Sequence, residues 1–153
     1  RKLVIVGDGP DADKVRAAAG DNVVLLGRAS RERVRTVLRG ARAFLFAAEE
    51  DFGIAPVEAQ ACGAPVIAFG RGGAQETVIA TDDPSRTGIF FPEQTPESIA
   101  GAVREFERAS PVSRDACRAN AERFSEARFR QEFGALVARE WARFHSEGSS
   151  APS

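Results

Sequence analysis

Short β-branched or aromatic runs alternate with amphipathic stretches from the first residues onward. The runs Leu3 to Val6, Val23 to Leu26, Ala43 to Phe46, Pro65 to Phe69 and Gly88 to Phe91 are compact and mostly apolar. Strands covered on both faces read this way, because neither face can carry polar side chains. Between them, amphipathic spacing predicts helices at about Asp11 to Ala19, Arg31 to Arg39, Pro56 to Cys62 and Ala74 to Ile79. Strand, helix and strand in turn is the signature of parallel strands joined by crossover helices.

From Thr95 the pattern becomes helical only. Start signals stand at Thr95 with Pro96 and Glu97, at Ser110 with Pro111, and at Ser125 with Glu126; each is a capping hydroxyl followed by proline or an acid. In the last helix Phe129, Phe133, Leu136, Val137, Glu140, Trp141 and Phe144 recur at steps of three and four, giving one wide apolar stripe. Such a stripe needs a partner surface, either the chain's own sheet or a surface outside it. The tail 146–153, rich in Ser, Gly, Ala and Pro, is expected to be disordered, with the domain spanning 1–145.

Right-handed crossovers then predict an α/β fold, a doubly wound parallel sheet of Rossmann-like form, with the loops after each strand gathered on one edge. Those loops begin at Gly7, Gly27, Ala47 and Gly70. Ligands of such folds bind at that edge, so the chemistry is expected there.

Composition narrows the reading. With 153 residues and 43% apolar content the chain can bury one core. No run of about 18 apolar residues suggests a membrane-spanning helix, and a cytoplasmic protein is expected. The chain contains no Met and enters its first strand from Arg1, so it is expected to be a piece of a longer polypeptide. Near-zero net charge, 21 basic against 22 acidic side chains, removes the overall field that a nucleic-acid partner calls for. One stretch is locally basic: Arg28, Arg31, Arg33, Arg35, Arg39 and Arg42 could meet phosphate or anionic lipid, although a solvated helix face has the same pattern. Cys62 and Cys117 have neither metal-ligand spacing nor a disulfide framework, and the single histidine, His145, lies near the tail.

Two loops carry candidate chemistry. Gly7-Asp8-Gly9-Pro10-Asp11-Ala12 fits a loose dinucleotide fingerprint, but Asp8, Asp11 and Asp13 would face the pyrophosphate and Pro10 withholds an amide. No acid follows the second strand to hold a ribose as NAD requires; Gly27 and Arg28 stand there. Gly7 and Gly9 are read as a turn that admits a ligand close to backbone. The second segment, Glu50 through Ala68, is strand-tip loop, helix, glycine stop and strand. Glu50 lies on the loop, Pro56 suits the first helical turn, Glu58 projects from the early helix, and Gly63 ends it. Carboxylates accept hydrogen bonds in pairs and suit vicinal diols, of which a sugar nucleotide offers two sets.

This segment resembles the signature of the retaining glycosyltransferase family four, of the GT-B fold. The likeness lies in two glutamates, Glu50 and Glu58, around Phe52-Gly53-Ile54, followed by Glu58-Ala59-Gln60-Ala61-Cys62-Gly63-Ala64-Pro65-Val66-Ile67. Further landmarks occur in order: Val6 to Pro10, Leu25-Leu26-Gly27, Gly72 to Val78, and Thr87 to Phe91. The resemblance implies a C-terminal donor-binding domain, with an N-terminal acceptor domain absent from this chain and the final helix crossing back to it. It implies transfer of a sugar from a nucleoside-diphosphate sugar, with retention, no cofactor and no required metal, to a glycan or lipid-linked acceptor. Glu50 is then the catalytic and sugar-contacting carboxylate, with Phe52, Gly53 and Ile54 offering backbone groups to the sugar. Glu58 holds the ribose diol, Gly27, Arg28 and Ala29 flank the base, and Gly7 and Gly9 line the nucleotide. Glu76 either orients its loop or meets the donor. The family's basic pair that clamps the diphosphate precedes the strand on which this chain opens; Arg71 and Arg28 are the remaining candidates.

The wording of the segment is most similar to bacterial mannosyl-type enzymes of surface-polysaccharide assembly, which makes GDP-mannose the expected donor. Such an enzyme would work at the inner face of the membrane through the missing domain. Two rivals share the sheet. A non-catalytic nucleotide-binding module need not pair Glu50 with Glu58, and a GT-B sugar-nucleotide epimerase needs acid-base residues near the anomeric carbon. A dehydrogenase would bind NAD in preference to GDP or UDP.

Overall fold

A computed structural model describes residues 1–148. Five strands, β1 Leu3–Ile5, β2 Val23–Leu25, β3 Phe44–Phe46, β4 Val66–Phe69 and β5 Gly88–Phe91, fall within the runs expected from sequence. Seven helices complete the order: α1 Ala12–Ala18, α2 Arg31–Gly40, α3 Ile54–Ala61, α4 Ala74–Thr77, α5 Pro96–Arg108, α6 Arg114–Glu122 and α7 Glu126–Gly148. The fold is α/β and doubly wound, as expected.

All strand pairs are parallel, but they form two hydrogen-bonded sheets, β1-β2 and β3-β4-β5, where one was expected. Strand β4 shows why helices must cover both faces of the larger sheet. Its alternate side chains enter two separate cores. Val66 and Ala68 pack with Leu38 of α2, Ala59 of α3, Phe46, Ala64, Ala74 and Val78. Ile67 and Phe69 pack with Ile89, Phe91 and Ala102 of α5, bordered by Ile99, Val103 and Phe106.

Caps explain most helix boundaries. Thr95 accepts from the Ser98 amide at 3.2 Å with Pro96 following, and Ser125 accepts from the Arg128 amide at 3.4 Å. Gly63, at φ +79°, takes the left-handed conformation that ends α3, a conformation costly for any residue with a Cβ. The start expected at Ser110-Pro111 is corrected: Ser113 is the cap, accepting from the Ala116 amide at 3.2 Å. The Ser110 carbonyl oxygen accepts from the Arg86 guanidinium at 2.7 Å, and the helix starts three residues later at its own capping hydroxyl.

The last helix ends later than expected, and its packing decides between the two partner surfaces left open for its stripe. It continues through Gly148, past the boundary expected at Ser146, and residues 149–153 lie outside the described residues. Its apolar stripe does not pack on the sheet: Phe129, Phe133, Leu136, Val137, Trp141 and Phe144 are all exposed, Phe144 by 72%. No helix among the described residues is long and apolar enough to cross a membrane.

Candidate functional site

Each candidate loop lies at the carboxyl edge of its own parallel sheet, two loops on β1-β2 and the others on β3-β4-β5. Gly7 and Gly9 follow β1, Gly27, Arg28 and Ala29 follow β2, and Glu50, Phe52 and Gly53 occupy the loop between β3 and α3. Ile54 opens α3 and Glu58 is its fifth residue, ~6 Å along the axis at 1.5 Å per residue. Both carboxylates therefore stay on this edge, and both are exposed. The first two loops are joined directly, since the Gly7 amide donates to the Gly27 carbonyl oxygen at 2.9 Å.

The β3-α3 loop is held by the loop after β4. The Gly73 amide donates to the Glu50 carbonyl oxygen at 2.7 Å, and the approach is so close that a Cβ on Gly73 would lie 2.3 Å from Phe52 Cα. A Cβ on Gly72, itself at φ +60°, would lie 2.5 Å from the Glu50 carbonyl oxygen. Two glycines thus let one loop seat backbone against backbone on the other. The Phe52 ring meets Phe124 edge-on at 5.5 Å, with the Arg123 guanidinium over Phe124, so residues after α6 close the outer side of the loop.

Beneath the site lies a buried amide network that sequence reasoning did not find. Gln60 and Thr77 are fully buried and Asn120 nearly so. Gln60 Nε2 donates to the carbonyl oxygens of Pro56 at 3.1 Å and Thr77 at 2.8 Å. Asn120 Nδ2 donates to Gln60 Oε1 at 2.7 Å and to the Thr77 carbonyl oxygen at 2.8 Å. Thr77 Oγ1 in turn donates to the Gly73 carbonyl oxygen at 3.0 Å, which ties the network to the glycine loop. A signal was present: Asn120 shares a helix face with Cys117 and Ala121 at steps of three and one, and an amide on a buried face needs partners.

Electrostatics at the edge are uneven. Helix α3 carries no acid in its first turn and its cap, Gly53, supplies no side-chain hydrogen bond, so its positive end is uncompensated by its own residues. At α1 the opposite holds. Asp11 and Asp13 occupy that end, and they pair with Lys14 and Arg16. The acids argue against a pyrophosphate seated on α1, and α3 is the better-suited terminus. Arg71, after β4, lies with its guanidinium over the Phe69 ring at 5.6 Å, while Arg28 is exposed. Glu76 lies on α4, in its first turn, and is exposed. The exposed face of α7 formed by Leu136, Val137, Glu140, Trp141 and Phe144 shares no residue with these loops.

A family model described as glycosyl transferases group 1 matches residues 1–124, which include every strand and all the candidate loops. The chain belongs to the group 1 glycosyl transferases. Among curated members, a D-inositol 3-phosphate glycosyltransferase of Mycobacteroides abscessus is 38% identical over 86 residues, covering 56% of this chain and 18% of the relative. A GDP-mannose-dependent monoacylated α-(1-6)-phosphatidylinositol monomannoside mannosyltransferase of Corynebacterium glutamicum is 41% identical, covering 50% of this chain and 23% of the relative. The chain thus spans about a fifth of the length of the curated group 1 enzymes it matches. Among solved structures, a sucrose-phosphate synthase from Thermosynechococcus elongatus superposes with a TM-score of 0.72 at 26% identity, covering 93% of this chain and 39% of that one.

Proposed function

We propose that this chain is the donor-binding domain of a retaining glycosyltransferase that moves a sugar from a nucleoside-diphosphate donor, with the acceptor held by a second domain. The observation that carries the reading is the fastening of the Glu50 loop onto Gly72 and Gly73 at the edge where α3 begins. It fixes a carboxylate-bearing loop beside a helix N-terminus whose positive end is free for a diphosphate. Membership of the group 1 family supports the reaction class, and the greater length of the relatives supports a two-domain enzyme.

In this reading Glu58 accepts hydrogen bonds from the ribose diol, Gly7, Gly9, Gly27, Arg28 and Ala29 border the nucleotide, and Phe52, Gly53 and Ile54 present backbone to the donor sugar. The bond from the anomeric carbon to the diphosphate breaks while the acceptor hydroxyl oxygen bonds to that carbon from the same face; the nucleoside diphosphate leaves with the electron pair and takes up the hydroxyl proton. Positive charge then develops on the ring, where the Glu50 carboxylate opposes it. The α3 N-terminus and a basic side chain such as Arg71 meet the charge on the leaving group, and no cofactor takes part. The GDP-mannose dependence of the corynebacterial relative supports GDP-mannose as donor, and the inositol phosphate and phosphoinositide acceptors in the relatives' names support a polyol- or lipid-linked acceptor.

The test is a calorimetric titration of the full chain with GDP, UDP, ADP and NAD. The expected result is weak, saturable binding of one nucleoside diphosphate, GDP above the others, and none of NAD. Tighter binding of NAD than of every diphosphate would overturn the reading, and UDP or ADP binding above GDP would overturn the donor base alone.

A further inference from the structure

Helix α2 carries charge in a way that works against its own stability. Between Arg28 and Arg42 stand six arginines and one acid, Glu32, so the stretch carries +5 while the whole chain carries −1. Arg31, Arg35 and Arg39 are four residues apart, which sets them in one row on the helix surface; Arg28 precedes the cap Ser30, and Arg42 follows Ala41 at the other end. All five are exposed, while Val34, Val37 and Leu38 turn toward the sheet.

Like charges four residues apart repel, and Arg31 and Arg33 in the first turn oppose the helix dipole, countered there by Glu32 alone, while Arg39 in the last turn suits it. No ion pair among the described residues relieves the repulsion along the row. Arg28, Arg31, Arg33, Arg35 and Arg39 make no ion pair there, and Arg42 reaches only Glu107, at 3.8 Å. Other helices pair their charges: Lys14 with Asp11, Arg16 with Asp13, Arg118 with Asp115, Arg128 with Glu132 and Arg130 with Glu126. Arg39 is not needed as a C-terminal cap either. The Arg114 guanidinium already donates to the carbonyl oxygens of Arg39 at 2.6 Å and Ala41 at 3.2 Å.

From this uncompensated row we infer that α2 is a peripheral docking surface for a bilayer bearing anionic lipid headgroups. An extended plane of phosphate charge matches a row of arginines along about three helical turns better than a single anion does, since one phosphate reaches only one or two guanidinia. Nucleic acid fits less well, because residues 28–42 contain no aromatic side chain on which a base could stack. The apolar side chains of α2 face inward, so the contact is electrostatic and does not insert. Helix α2 follows directly on the loop after β2, so docking would bring that loop of the candidate site near the membrane. The inference stands on Arg31, Arg35 and Arg39, none of which the donor assignment uses.

Co-sedimentation of the full chain with phosphatidylcholine vesicles, with and without about 30 mol% phosphatidylglycerol, tests it. Partition is expected to rise more than roughly tenfold with the anionic lipid and to collapse in about 0.5 M NaCl. The triple variant Arg31→Gln, Arg35→Gln, Arg39→Gln should lose that preference while its circular dichroism stays unchanged. The triple Arg128→Gln, Arg130→Gln, Arg139→Gln, with the same loss of charge on α7, should keep it. Should the α2 triple misfold, each single Arg→Gln variant is expected to lose part of the preference. Equal binding to both vesicles, equal loss in both triples, or no loss in the folded α2 variants would overturn the inference. So would release by inorganic phosphate but not by chloride of equal ionic strength, which indicates a discrete phosphate site, or tighter binding to a single-stranded RNA oligonucleotide than to the anionic vesicles.

Discussion

The Gly73 amide donates to the Glu50 carbonyl oxygen across 2.7 Å, binding the loop after β4 to the loop that bears the candidate catalytic carboxylate. The two residues lie on different crossover units, so the contact couples the α3 and α4 entrances into one surface. Any donor lying on that surface meets both loops in fixed relation, and their rigidity becomes part of the site.

Replacing Gly73 with Ala should separate the loops. The added Cβ would stand 2.3 Å from Phe52 Cα, and backbone, unlike a side chain, cannot swing away. A loss of about 1–3 kcal/mol in stability is expected, together with loss of nucleotide binding. Gly101→Ala is the control, because its Cβ meets nothing within 4 Å and the position is helical. That variant should gain about 0.5–1 kcal/mol. Thermal melts of both, beside nucleotide titration, distinguish a specific close approach from a general intolerance of substitution.

The two glutamates should differ in kind when the complete enzyme is assayed. Glu58→Ala removes binding common to ground and transition states, so donor KM should rise about ten- to a hundredfold, or roughly 1.5–3 kcal/mol. Glu50→Ala should act mainly on kcat, because positive charge on the sugar ring is largest in the transition state. Steady-state kinetics with calorimetric donor binding separates the effects. Equal, small changes in both variants would return both residues to the solvated surface.

Asn120→Ala should destabilise the chain although the residue belongs to none of the candidate loops. Gln60 Oε1 would be left in the core without its Asn120 donor, at a cost of about 1–3 kcal/mol. For a domain of this size each kcal/mol lowers Tm by about 2–4 °C. If the network also holds the glycine loop through Thr77, donor affinity should fall in the folded variant; unchanged Tm and affinity would show that Asn120 does neither.

The two cysteines should react at very different rates. Burial pushes the Cys117 thiol up to about 11 from 9.0, with its Sγ facing the Thr87 carbonyl oxygen at 3.8 Å. Cys62 is only half-buried. Iodoacetamide near neutral pH should label Cys62 first and Cys117 only after unfolding, as mass spectrometry would read directly. The raised value also fixes a sign. The unfolded chain releases the Cys117 proton before the folded one, so this contribution to stability is whole below about pH 9 and is lost as pH rises toward 11. Cys117→Ser should flatten that part of the stability profile.

Much of the architecture was legible along the chain because its causes are local. Apolar runs marked all five strands, Thr95 and Ser125 marked helix starts, and Gly63 marked a stop, each through groups within a few residues of one another. That Glu50 and Glu58 follow the carboxyl end of β3, while Gly7, Gly9 and Gly27 follow β1 and β2, could be read from the order of strands and helices alone. Tertiary structure decided the rest. The Arg86 guanidinium reaches the Ser110 carbonyl oxygen across 24 residues, and the buried amide network joins Gln60 to Asn120 across 60. The stripe on α7 announced a partner surface, but only the packing revealed that the sheet does not supply it. Periodicity and caps report the chain's preferences within a turn or two, whereas close backbone approach, buried hydrogen bonding and the choice of packing partner depend on residues that only folding brings together.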